Sequence, residues 1–134
     1  MKPKFHHYGL LVRDIEESIK RFQLYGYTLI IKDSGPLQKA NLAILENTDS
    51  RIELVSPHES NSSLKNLLNN KKDTGYHLCY SVDSTEKYES FMKEHGAIIK
   101  KITKTKPAKI FNNKMVTFYY IDSMGIIEIL EDQK

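Results

Sequence analysis

The chain has 134 residues, 40% hydrophobic and 28% charged, the balance of an ordinary globular domain with enough material for one buried core. No apolar run approaches the ~20 residues of a membrane-spanning helix, and residues 1–9 carry no secretory-type apolar stretch, so a cytoplasmic protein without membrane contacts is expected. The net charge of +3, with no Arg-rich helix or zinc-finger spacing, argues against nucleic acid as a partner, and the single cysteine, Cys79, excludes an internal disulfide.

Residues 5–12 are apolar and partly β-branched or aromatic, which predicts a strand. Asp14 follows as an N-cap, with Glu17 three residues on as in a capping box, and Ile15, Ile19 and Phe22 recur at helical spacing until Gly26. Strands are expected over 27–32, 40–46 and 51–56, with turns at Ser34-Gly35-Pro36 and Asn47-Thr48-Asp49-Ser50. This is one βαβββ module.

The stretch 57–75 turns polar and reads as a linker, in which Leu64, Leu67 and Leu68 predict a short helix packing its leucines inward. The plan then repeats. Residues 76–82 form a strand in which Cys79 reads as a buried thiol; Ser84 or Thr85 caps a helix carrying Tyr88, Phe91 and Met92, and Gly96 stops it. Strands near 97–102, 114–121 and 125–131 complete the second module, with a turn at Asp122-Ser123-Met124-Gly125. The expectation is a single α+β domain, 1–134, of two tandem βαβββ modules, 5–56 and 76–131, joined by linker 57–75.

The repeat is visible residue by residue. An offset of 70 aligns His7 with His77, Val12 with Val82, Glu16 with Glu86 and Gly26 with Gly96, while an offset of 75 aligns Ile52-Glu53-Leu54-Val55 with Ile127-Glu128-Ile129-Leu130. The five extra positions of the second half are placed in a loop near 104–113.

Four polar residues recur where a strand should be apolar. Glu53 and Glu128 sit in apolar runs, where an ionised carboxylate is costly unless paired. His7 and His77 occupy matched strands. Imidazole nitrogens and carboxylate oxygens together suit a divalent ion such as Zn, Ni, Co, Mn or Fe, and a pseudo-twofold axis would bring both pairs to one centre. His6 neighbours His7 and should point to the opposite sheet face, while His58 lies in the linker and His95 ends a helix, so these three are set aside as ligands. Lys100, Lys101, Lys104, Lys106 and Lys109 read first as solvated surface, and otherwise as contacts to a small anion.

The segments His7-Tyr8-Gly9-Leu10-Leu11-Val12-Arg13-Asp14, Arg51-Ile52-Glu53-Leu54-Val55-Ser56-Pro57, Tyr76-His77-Leu78-Cys79-Tyr80-Ser81-Val82-Asp83 and Gly125-Ile126-Ile127-Glu128-Ile129-Leu130, in this order, resemble the vicinal oxygen chelate superfamily. That superfamily contains glyoxalase I (lactoylglutathione lyase), methylmalonyl-CoA epimerase, extradiol dioxygenases and drug-resistance proteins. The resemblance implies a glyoxalase-like cup of curved mixed sheet and one metal held by His7, Glu53, His77 and Glu128. It also implies a homodimer.

The chain looks most like the epimerase and glyoxalase I branch, through Arg51–Pro57 followed by Ser62-Ser63-Leu64 and Leu67-Leu68. Epimerases often show His-His where this chain has Tyr76-His77, and the region 39–42 offers Asn41 where some carry a further acid. The implied reaction is proton abstraction next to a carbonyl through a metal-stabilised enolate, with Glu128 as first choice for the base and Glu53 as the alternative. The implied substrate is anionic, an acyl-CoA thioester or a glutathione adduct, with lactoylglutathione lyase as the alternative activity. A dioxygenase uses two His and one carboxylate, leaving a fourth ligand at Glu53 over, and a metal-free drug-binding protein has no use for the set.

Overall fold

In the computed structural model the described residues are 1–35, 39–69 and 73–132. The chain divides into two compact units, a first of His7–Tyr76 and a second of Met1–His6 with His77–Lys134. Together they give an α+β fold, with no helix among the described residues long and apolar enough to cross a membrane.

The first unit is built from the part of β1 (Lys4–Leu11) that begins at His7, with α1 (Ile15–Gln23), β2 (Thr28–Gly35), β3 (Ala40–Glu46) and β4 (Arg51–Pro57), followed by α2 (Ser62–Asn69). The strand order is β2-β3-β4-β1, with β1 parallel to β4 and the rest antiparallel. Asp14 caps α1 by accepting the Glu17 N–H at 3.1 Å, and Gly26 takes φ +86° just beyond the helix end. Glu17 then pairs with Lys20 and Arg21 along its own helix. Ile19 of α1 joins Val12, Ala43, Leu45, Ile52 and Leu54 in the core between helix and sheet, supported by Phe22 and Tyr27.

Strand β2 extends past the expected 27–32 and takes in Ser34 and Gly35, so only Pro36 of the expected turn is left, outside the described residues. Helix α2 buries Leu68 but leaves Leu67 46% exposed, so the i, i+3, i+4 leucines do not all pack inward. Residues 70–72 of the linker lie outside the described residues.

The second unit contains β5 (Thr74–Val82), α3 (Thr85–Glu94), β6 (Ile99–Lys101), β7 (Lys106–Ala108), a 3-10 turn at Lys109–Phe111, β8 (Lys114–Ile121) and β9 (Gly125–Glu131). Its strand order is β5-β9-β8-β6, with β7 also on β8 and only β5–β9 parallel. Ser84 is the N-cap of α3, accepting the Lys87 N–H at 3.2 Å, and Gly96 takes φ +83° at the end. Tyr88, Tyr119, Ile121, Ile127, Ile129 and Val82 form the core under this helix. The Tyr119 hydroxyl donates to Glu89 Oε1 at 2.5 Å. Burial first, then this bond, raises its pKa above the ordinary phenol value of about 10, and burial pushes Tyr88 up to about 12.

The segment expected as a loop near 104–113 is structured: β7 and the 3-10 turn occupy it, and β6 is shorter than the expected 97–102. The three residues 106–108 are enough to extend the ladder on β8, a signal too short for periodicity to register.

Candidate metal centre

In each unit a histidine and a glutamate meet by the same construction. In the first, Glu53 on β4 is the register partner of Gly9 on β1, and His7 lies two residues before Gly9 on the same strand face. In the second, Glu128 on β9 is the partner of Cys79 on β5, and His77 lies two residues before Cys79. The histidine therefore reaches its glutamate along the diagonal, past a residue with no side chain or a small one. Nε2 of His7 lies 3.3 Å from Oε1 of Glu53, and Nε2 of His77 lies 3.2 Å from Oε1 of Glu128.

None of the four side chains is open to water: His7 is 0% exposed, Glu53 4%, His77 3% and Glu128 3%. Burying a carboxylate in an apolar strand costs several kcal/mol unless something offsets it, on the order given by ion desolvation. That cost arises twice, at matched positions, and in each case an imidazole stands beside the carboxylate. The donor set also fits a divalent transition ion in type and spacing. An ion about 2.1 Å from each of two donors holds them roughly 3.0 Å apart at a right angle and roughly 3.4 Å at the tetrahedral angle. The two observed separations lie between these values.

The structure thus brings His7 to Glu53 and His77 to Glu128. The other histidines are engaged elsewhere in their units. His6 packs edge-to-face on Phe111, with centroids 5.3 Å apart; His58 Nε2 lies 3.2 Å from Asn41 Oδ1; and His95 Nδ1 lies 2.8 Å from the Phe91 carbonyl oxygen at the end of α3. Cys79 is buried. Lys100, Lys104 and Lys109 are exposed, while Lys101 approaches Glu89 at 3.6 Å and Lys114 approaches Asp132 at 3.2 Å.

One residue of the site escaped the sequence reading. Phe118 on β8 is the register partner of Glu128, and its ring meets that of His77 edge-to-face, centroids 5.1 Å apart and planes at 85°. Counting outward across the turn at 122–124, from Ile121 opposite Gly125, reaches Phe118 opposite Glu128, so the hairpin itself carried the signal.

A profile of the Glyoxalase/Bleomycin resistance protein/Dioxygenase superfamily matches residues 6–118, and the chain belongs to that superfamily. Among solved structures, the hypothetical protein BH1468 from Bacillus halodurans C-125 is similar at 22% identity over 100% of this chain and 97% of that one, with a TM-score of 0.83. Methylmalonyl-CoA epimerase from Mycobacterium tuberculosis is similar at 18% identity over 98% of this chain and 89% of its own, with a TM-score of 0.80. A methylmalonyl-CoA epimerase in complex with methylmalonyl-CoA and ammonium is similar at 14% identity, 97% and 94% coverage, and a TM-score of 0.77. No curated protein sequence matches the chain.

Proposed function

We propose that His7, Glu53, His77 and Glu128 together hold one divalent metal ion, and that the protein is an isomerase moving a proton at a carbon next to a carbonyl, most like methylmalonyl-CoA epimerase. The observation that carries this reading is the doubled His–Glu pair, buried and built alike in both units. A divalent ion held there supplies a Lewis acid for the carbonyl oxygen of the substrate.

The protein's own residues do the rest. The Glu128 carboxylate takes the proton from the carbon beside the carbonyl as the C–H electron pair moves into the enolate, and Glu53 is the second carboxylate able to exchange a proton there. Return of a proton to the opposite face of the same carbon inverts it, with no net change in oxidation. His7 and His77 hold their glutamates in place. An acyl-CoA thioester is the favoured substrate because a solved epimerase of this fold is described with methylmalonyl-CoA, and the exposed Lys100, Lys104 and Lys109 suit its phosphates.

Protein purified without chelator is expected to carry close to one metal ion per chain. Loaded with Zn, Ni, Co or Mn, it is expected to exchange the C2 proton of methylmalonyl-CoA for solvent deuterium. The methylglyoxal–glutathione hemithioacetal, assayed in parallel, separates this from lactoylglutathione lyase. Metal content near zero, with no gain from any added ion, overturns the reading.

A further inference from the structure

The two His–Glu pairs are matched, but the strand beyond each glutamate is not. Glu53 has the aliphatic Ile44 as its partner on β3, whereas Glu128 has Phe118 as its partner on β8. Phe118 is 8% exposed, and its ring meets the His77 imidazole at 85°. An imidazole turns through a broad torsional well about its last bond, so a contact at one nitrogen does not fix the plane of the ring. Glu128 supplies that contact at Nε2, and the phenyl ring stands edge-to-face against the imidazole.

Phe118 is itself pinned on both sides. Its carbonyl accepts the Ile102 N–H at 2.8 Å, and its N–H donates to Thr103 Oγ1 at 3.0 Å. Residues 102 and 103 lie directly after β6, before the stretch 104–113 that holds the extra positions of the second half. The segment leading out of β6 therefore anchors the aromatic ring that has no aromatic counterpart at Ile44.

We propose that Phe118 is a positioning residue that sets the imidazole plane of His77 for its ligand. This rests on the reading that His77 and Glu128 belong to a metal site. Groups that orient a ligating histidine typically alter metal affinity about 10- to 100-fold when removed, and an aromatic contact belongs at the lower end of that range.

The test uses the full-length chain and Co(II), with affinity measured by competition against a chromophoric chelator and the visible Co(II) spectrum recorded. Phe118→Leu is expected to bind Co(II) about tenfold more weakly with a shifted spectrum, Phe118→Met to do the same with closer core volume, and Phe118→Tyr to stay near wild type. A role in packing alone lowers the metal-free melting temperature and leaves the Co(II) affinity and spectrum unmoved. Should Phe118→Leu fail to fold, Phe118→Met decides. Wild-type affinity and spectrum in Phe118→Leu or Phe118→Met, or a loss in Phe118→Tyr as large as in Phe118→Leu, overturns the inference alone. A wild-type chain that takes up no Co(II) overturns it together with the metal reading.

Discussion

Gly9 and Cys79 hold the same station in the two halves, each the register partner of its buried glutamate. Both leave the diagonal from histidine to glutamate clear. A larger side chain at either station blocks that diagonal, so Gly9→Val is expected to weaken metal binding at least tenfold even though valine suits a strand. Cys79→Ala removes a thiol that is not a donor in the proposed set. It is expected to cost about 1 kcal/mol of stability and to leave the metal content unchanged. Metal analysis beside thermal melting of the two variants checks both; metal lost from Cys79→Ala would make the thiol a ligand.

Glu128→Gln keeps the size of the side chain and removes its basicity. Loss of a positioned acid–base group lowers turnover by roughly 10²–10⁴-fold, with the fold intact by circular dichroism. Full activity in this variant would move the base to another residue, with Glu53→Gln as the next to measure.

The buried pair also has a signature in stability alone. In metal-free protein, His77→Leu leaves the Glu128 carboxylate buried without its imidazole and is expected to cost about 3–5 kcal/mol. Replacing Glu128 by Leu in the same chain is expected to recover most of that. Chemical denaturation of the single and double variants measures the difference; a double variant no more stable than the single one counts against a costly buried charge.

Metal itself is expected to stabilise the fold by mass action, about 2.7 kcal/mol at a free concentration 100 times Kd. For a chain of this size that corresponds to a rise in Tm of roughly 10 °C. Chelator should reverse it, and a Glu53→Leu, Glu128→Leu double variant should show no rise.

Alkaline stability follows from the buried phenols. Tyr119 and Tyr88 both have folded-state pKa values raised by burial, Tyr88 to about 12. Below pH 10 the phenols are neutral in folded and unfolded chains alike, and their contribution is complete. Above pH 10 the unfolded chain ionises while the folded one resists, so stability falls as pH climbs towards 12. Melting temperatures between pH 8 and 12 should show a smaller fall in Tyr119→Phe than in wild type; an equal fall places the loss elsewhere.

Much of this was legible in the chain. The cap at Asp14, a second cap at Ser84 or Thr85, the stops at Gly26 and Gly96, and strands β3, β8 and β9 follow from local chemistry that acts within a few residues. The His–Glu pairs were legible because a polar residue in an apolar strand contradicts its surroundings, and the contradiction occurs twice. Phe118 was not, since a phenylalanine in Met-Val-Thr-Phe-Tyr-Tyr-Ile agrees with its strand, and only cross-strand register gives it a particular neighbour. Strand β7 was hidden for a similar reason: three residues held by pairing with β8 carry no pattern of their own.

The two halves supply their His–Glu pairs in duplicate, built alike in each unit. Whatever one half does that the other does not has to come from places where the copies have drifted apart. In this chain such drift is concentrated in residues 102–113, where the second half grows a strand and a 3-10 turn between β6 and β8. If His7, Glu53, His77 and Glu128 hold the metal as proposed, exchanging that segment between relatives with these four residues untouched is expected to change substrate preference and leave metal content as it is.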